Sequence, residues 1–321
     1  MLKETIITHI VLLLIIVASP LFLLSCSSEG ELDTSRETEK AGETDLTERD
    51  CKNEINKEQK EDQQALEPNN KFSDNIDDNS KTDDARHSAT PLSDLYVGVY
   101  AGKGSWYEST QSTKNFLDNY GIEWSSFDEI DATNLELLNH FDLIWFPGGF
   151  AAEYKNYISN HAAIVDFVHD GGYFIGSCAG AYYASDILKW QGTDYQYPLN
   201  FFEGKGVGPL SGQIVRGEAA SFILEPGHPA NQSFNKSIEL YYFDGPYFAP
   251  YNESSITVLA RYEINHEPAV IAGESGEGRY LLFGPHPELG RYKADEQAFH
   301  LEGDQGANWP WLYSVFKWFV N

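Results

Sequence analysis

Cysteine is scarce in this chain: Cys26, Cys51 and Cys178 are the only three in 321 residues. A disulfide framework and a cysteine-rich zinc or iron–sulfur site are therefore excluded. Cations are scarce as well, with 22 Lys and Arg against 49 Asp and Glu and a formal net charge of −27. Phosphate neutralisation needs clustered Lys or Arg, so a nucleic-acid partner is disfavoured. One stretch also lacks aromatics: residues 27 to 91 hold no Trp or Tyr and only Phe72. Such a polar, acidic segment cannot bury enough apolar surface to offset chain ordering, and it reads as a disordered linker. Cys51 lies within it and reads as incidental.

What is present begins with an apolar run. Residues 6 to 24 are apolar except for Thr8, His9, Ser19 and Pro20, follow a single basic residue, Lys3, and meet Ser25-Cys26. A basic start, an apolar stretch and a small residue before a cut read as an export signal. The run also reaches the roughly 17–25 residues of a membrane span, so an uncleaved anchor stays open. Both readings place the rest of the chain outside the cytoplasm and tethered to a membrane.

Beyond residue 91 the pattern is that of a folded domain. Residues 95–100 and 141–146 read as buried strands, and 173–176 as a third. Residues 108–120 and 157–169 read as helices, the second with Ile158, Ala162, Val165 and Phe167 or Val168 inward. A further helix is expected from Cys178 to about Leu188. Alternating strands and helices with short connections predict a mostly parallel sheet covered on both faces. After Trp190, strands are expected over 211–215, 237–243, 257–262 and 269–272, then a turn over 273–278 and a returning strand over 279–284. A closing helix follows from 309 to 319. Residues 190–210, rich in Tyr, Phe and Gly, read either as a pocket lining or as packed loop.

Three segments carry chemistry. In Gly176-Ser177-Cys178-Ala179-Gly180, a cysteine stands between a strand and a helix. The helix N-terminus favours negative charge there, and its unpaired N–H groups can receive an oxyanion. The competing reading is a buried structural cysteine. His286-Pro287-Glu288 follows an apolar strand. A cysteine nucleophile needs a base, and the base needs an orienting acceptor. Residues i and i+2 of an extended segment share a face. A metal pair or an idle loop histidine are the alternatives. His161, His169, His228 and His266 are poorer candidates, the first two on a helix and the others in loops. Pro147-Gly148-Gly149 ends the second strong strand and offers backbone donors, or is an ordinary tight turn.

Taken together, a Pro-Gly-Gly segment, a Gly-x-Cys-x-Gly elbow and a late His-x-Glu resemble the class I glutamine amidotransferase-like superfamily. The narrower resemblance is to the domain named after the N-terminal part of biotin–protein ligase. Tyr241 to Phe248, with its Gly-Pro-Tyr stretch, is similar to that group. The N-terminus resembles a bacterial lipoprotein signal with Cys26 as the lipidated residue. These resemblances imply a flavodoxin-like three-layer α/β sandwich with a mostly parallel central sheet. They divide the chain into a signal peptide (1–25), a lipidated cysteine and acidic linker (26–91) and an amidotransferase-like domain (92–321). They imply a Cys178-His286-Glu288 triad with an oxyanion hole at Gly148, Gly149 and Ala179. The expected activity is a cysteine-dependent hydrolase or amidotransferase-like reaction on a small amide or peptide, with no cofactor and no metal. The alternative is a non-catalytic ligand-binding or structural lipoprotein that keeps the fold. An adenylate-forming domain and an ammonia-accepting synthase are both missing from the sequence, so neither biotin transfer nor glutamine-dependent synthesis follows from the resemblance.

Overall fold

The computed structural model describes residues 92–290 and 308–321. The signal peptide, the lipidation of Cys26 and the linker expected above lie outside them.

Nine strands form one sheet and four more a second. In chain order the strands are β1 (Tyr96–Tyr100), β2 (Glu123–Phe127), β3 (Leu143–Phe146), β4 (Tyr173–Ser177), β5 (Ser185–Trp190), β6 (Thr193–Gln196), β7 (Phe202–Gly208), β8 (Glu218–Leu224), β9 (Ser237–Tyr242), β10 (Tyr247–Pro250), β11 (Thr257–Tyr262), β12 (Pro268–Ser275) and β13 (Gly278–Phe283). The large sheet runs β2-β1-β3-β4-β13-β12-β11-β8-β9. From β2 to β13 every pairing is parallel, and from β13 to β9 every pairing is antiparallel. The sheet is thus mixed rather than mostly parallel.

Strands β1, β3 and β4 are buried on both faces, which is why they read as continuous apolar runs. Alternate residues serve opposite layers. Val97, Val99, Trp145 and Ile175 pack with Phe116 and Leu117 of α1 (Tyr107–Asn119) and with Trp311, Leu312 and Phe316 of α6 (Trp309–Val320). Tyr100, Ile144, Phe146 and Phe174 face the other layer, which includes α3 (Ala151–Tyr157), α4 (Ala162–His169) and α5 (Ala179–Ala184). The short α2 (Leu135–Leu138) is capped by Asn134, whose side chain accepts the amides of Glu136 and Leu137.

Several expectations are corrected. The helix expected over 157–169 begins only at Ala162; Tyr157 ends the separate α3, and Ile158 is extended and buried between the two. Ala163, Ile164, Phe167 and Val168 face inward, while Val165 is half-buried. The helix after Cys178 stops at Ala184, where residues 185–190 pair with β6 and β7 instead. Residues 211–215 form turns closed by the amides of Gln213 and Ile214 on Leu210 O, and the strand comes later, as β8. Residues 190–210 are largely strand, within the second sheet, ordered β10-β7-β5-β6.

Candidate functional site

The order β2-β1-β3-β4 places the carboxyl ends of β3, β4 and β13 side by side. Ligand sites of open α/β sheets lie along that edge. Cys178 follows β4 directly and caps α5. Its backbone has φ 49° and ψ −98°, a region that costs a non-glycine residue about 1–3 kcal/mol. The surroundings fix this conformation. The Cys178 amide donates to Phe283 O at 2.8 Å, and its carbonyl accepts from Tyr182 at 3.0 Å. A side chain at Gly180 would lie 2.1 Å from Phe146 O, so that glycine lets the end of β3 close on the elbow. Cys178 is 6% exposed, and its thiol donates to Phe243 O at 3.3 Å.

His286 and Glu288 come from the turn after β13, and both are completely buried. The His286 amide donates to Tyr241 O at 2.8 Å, which pins this turn to the end of β9. Nδ1 meets Glu288 Oε1 at 2.8 Å. The same carboxylate oxygen accepts from Ser109 Oγ of α1 at 2.6 Å, and Ser109 Oγ in turn accepts the Gly148 amide at 2.8 Å. The indole of Trp309 holds the Glu288 carbonyl at 2.9 Å. Gly148 also forms a floor for the imidazole: a Cβ there would stand 2.3 Å from His286 Cε1. Trp106 lies edge-on to the imidazole, with ring centroids 5.4 Å apart, and is tilted against Phe243 at 5.0 Å.

Burial by itself pulls the pKa of His286 down. The Glu288 charge, then the Cys178 charge, and hydrogen bonding with both outweigh it and raise the imidazole to about 10. The Glu288 carboxylate thus favours the charged form of His286. Cys178 is close enough to influence that charge, yet Nε2 has no partner in hydrogen-bonding geometry. The thiol's own donor is directed at Phe243 O. Glu288 Oε2 likewise has no partner.

The three residues expected to form a triad thus come from neighbouring strand ends. His286 and Glu288 are directly bonded, and Cys178 is turned to another acceptor. Of the expected oxyanion donors, Gly149 and Ala179 open the segments after β3 and β4. Gly148 is a correction, since its amide is already engaged by Ser109. Ser109, Trp106 and Phe243 have no assigned role in the sequence reading. Phe243 falls within the stretch that carries the family resemblance, but nothing in the sequence marks its carbonyl as the thiol's acceptor. Among the described residues no group of three or more His, Cys, Asp or Glu side chains is placed to hold a metal ion.

This arrangement is an α/β three-layer sandwich around a mixed sheet. Residues 95–306 match the family described as biotin-protein ligase, N terminal, and the chain belongs to it. It is 30% identical over 215 residues to a biotin–protein ligase of Schizosaccharomyces pombe, covering 61% of this chain and 33% of that one. It is also 30% identical over 156 residues to an uncharacterized protein of Chlamydia muridarum, covering 46% of this chain and 60% of that one. The matched region thus spans a third of the ligase. Among solved structures, a glutamine amidotransferase crystal structure aligns with 70% of this chain and 98% of its own, at 20% identity and a TM-score of 0.49.

Proposed function

We propose that this domain binds a small molecule with a carbonyl or carboxylate acceptor over Cys178 and His286, as a binding domain that retains the amidotransferase-like fold. The observation that carries the reading is His286 Nε2, a buried donor on a charged ring with no partner. Leaving such a donor unsatisfied costs on the order of 1–3 kcal/mol or more, and a ligand oxygen removes that cost. The orientation of the thiol supports binding as well, since its donor is engaged by Phe243 O and not by His286.

A second reading, a cysteine-dependent amidohydrolase, has its own support in the strained backbone of Cys178. There the sulfur, as thiolate, would attack an amide carbon, forming the C–S bond. His286 would give its Nε2 proton to the leaving amine as the C–N bond breaks, and Glu288 would keep the ring oriented. Water would then cleave the thioester, with His286 taking a proton from it, and the amides of Gly149 and Ala179 would receive the oxyanion.

One experiment separates the two. The protein is incubated with a panel of small amides and carboxylates while alkylation of Cys178 by iodoacetamide is followed by mass spectrometry. Protection without product supports binding. Product that vanishes in Cys178→Ala establishes the enzyme. Neither protection nor product across the panel sinks both.

From the sequence alone, we further propose that the chain is exported, tethered to a membrane and lipidated at Cys26. Palmitate labelling of the expressed chain should disappear in Cys26→Ala. Labelling that persists in the variant, or is absent from the parent, removes the proposal.

A further inference from the structure

The wall above the buried imidazole carries a cation. Arg216 lies in the turn between β7 and β8, and its guanidinium stands 4.1 Å from the centroid of the Phe243 ring. Its Nε pairs with Asp244 Oδ2 at 3.0 Å, and its side chain is 61% exposed. Phe243 tilts against Trp106, and Trp106 meets His286 edge-on. Arg216, Phe243, Trp106 and His286 therefore form a chain of successive contacts from an exposed cation to the buried donor. Trp106 and Phe243 are both half-buried, so they remain partly open above a fully buried His286.

The dipeptide that holds this wall is fixed on both sides of the site. Phe243 O accepts the Cys178 thiol at 3.3 Å, and Asp244 O accepts the Tyr182 hydroxyl of α5 at 3.0 Å. Asp244 has φ 59° and, like Cys178, is one of five non-glycine residues with positive φ among the described residues. Strain of this kind persists only where the surroundings over-determine it. Here it places the Asp244 carboxylate so that the guanidinium lies over the ring. A guanidinium has five N–H donors in a planar fork, and one contact through Nε leaves capacity for a second anion. The chain as a whole, at −27, repels anions. A cation beside the site is therefore the local feature able to reverse that preference.

We propose that Arg216 is a specificity-determining residue that selects a planar anion: a carboxylate on an aromatic or heteroaromatic ring. The ring lies along Trp106 and Phe243, and a carbonyl at its other end meets His286. The inference rests on the binding reading above and names the class of ligand. Asp244 acts as a positioning residue that holds the guanidinium in place.

The test uses the whole protein and two probes of one shape, 4-carbamoylbenzoate and its neutral relative terephthalamide. Each is titrated as protection of Cys178 from iodoacetamide and by calorimetry, and glutamine serves as an aliphatic carboxylate with no ring. Wild type should bind the anion more tightly than the neutral probe by on the order of tenfold, the size of one charge-assisted hydrogen bond. Arg216→Gln should bring the ratio of the two affinities to about one, with a urea midpoint and circular dichroism spectrum close to wild type showing that the variant is folded. Equal binding of both probes by wild type, or a preference that survives in Arg216→Gln, overturns the proposal and leaves the binding reading standing. Glutamine binding as tightly as the aromatic anion overturns the aromatic part. If neither probe nor any other member of the panel protects Cys178, the binding reading itself has failed.

Discussion

Strands β4 and β13 lie parallel and adjacent, and the chain leaving each one delivers a side chain of the site: Cys178 after the first, His286 and Glu288 after the second. Strand β9 stands at the far edge of the antiparallel half and contributes none of the three. Yet its end holds them both, through Tyr241 O on the His286 amide and through Phe243 O, just past the strand, on the thiol. The antiparallel half thus folds back to meet the parallel half at the site. Parallel strands aim their carboxyl ends at one edge because their crossovers force a common direction. Antiparallel strands have no such shared edge, and here they act as a brace. The parallel half supplies the chemistry, and the antiparallel half determines which partner the thiol faces.

The largest test of this division removes the counter-charge. Glu288→Ala leaves a buried imidazolium opposite no carboxylate and releases Ser109, and loss of one partner of a buried pair costs about 3–5 kcal/mol. The effect depends on pH. Glu288 and Cys178 raise His286 from 6.5 to about 10. The stabilisation from the charged ring is therefore fully present below about pH 6.5 and is lost as pH rises through about 10. Urea midpoints of wild type and variant should lie furthest apart near pH 6 and converge toward pH 10. A gap that is constant across this range would show that His286 is not held charged.

Gly148→Ala tests the joint between β3 and the His286 turn. The new methyl would stand 2.3 Å from His286 Cε1 and 3.2 Å from Ser109 Oγ, so the ring must move. Overpacking of this kind costs about 1–3 kcal/mol. Iodoacetamide labelling of Cys178 should change along with stability, because displacing the ring disturbs the wall that covers the thiol. Lost stability with unchanged labelling would mean that the ring and the thiol are not coupled.

The parallel half was legible because burial on both faces writes itself as unbroken apolar runs, as in residues 143–146, and because glycines punctuate the turns that follow. The three chemical segments sit at strand ends for the same reason. The antiparallel half was harder to read. Residues 218–224 alternate weakly, whereas 211–215 read as the strand although their apolar residues enter turns around Leu210. Ser109 was invisible for a different reason. It lies on the buried face of α1 with Thr110, Ser112 and Thr113. Hydroxyl residues in a helix read as solvent-facing, and only the tertiary structure shows the carboxylate that one of them meets. Arg216 and Phe243 join the site through a backbone carbonyl and a ring contact, and neither leaves a mark in residue spacing.

The smallest expected effect is the sharpest in sign. Cys178 and Asp244 both hold φ in the left-handed region, one leaving each half of the sheet. At an ordinary position glycine is less stable than alanine by roughly 0.5–1 kcal/mol, through backbone entropy. Where φ is positive, alanine carries a steric cost of about 1–2 kcal/mol that glycine does not. Cys178→Gly should therefore be more stable than Cys178→Ala, and Asp244→Gly more stable than Asp244→Ala, each by about 1 kcal/mol or less. Both members of each pair lose the same side-chain contacts, so the difference isolates the backbone. Chemical denaturation of the four variants measures it. If only the Cys178 pair inverts, the strain belongs to the elbow and the brace is relaxed. If both invert, backbone strain is present on both sides of the site, at the elbow and at the brace.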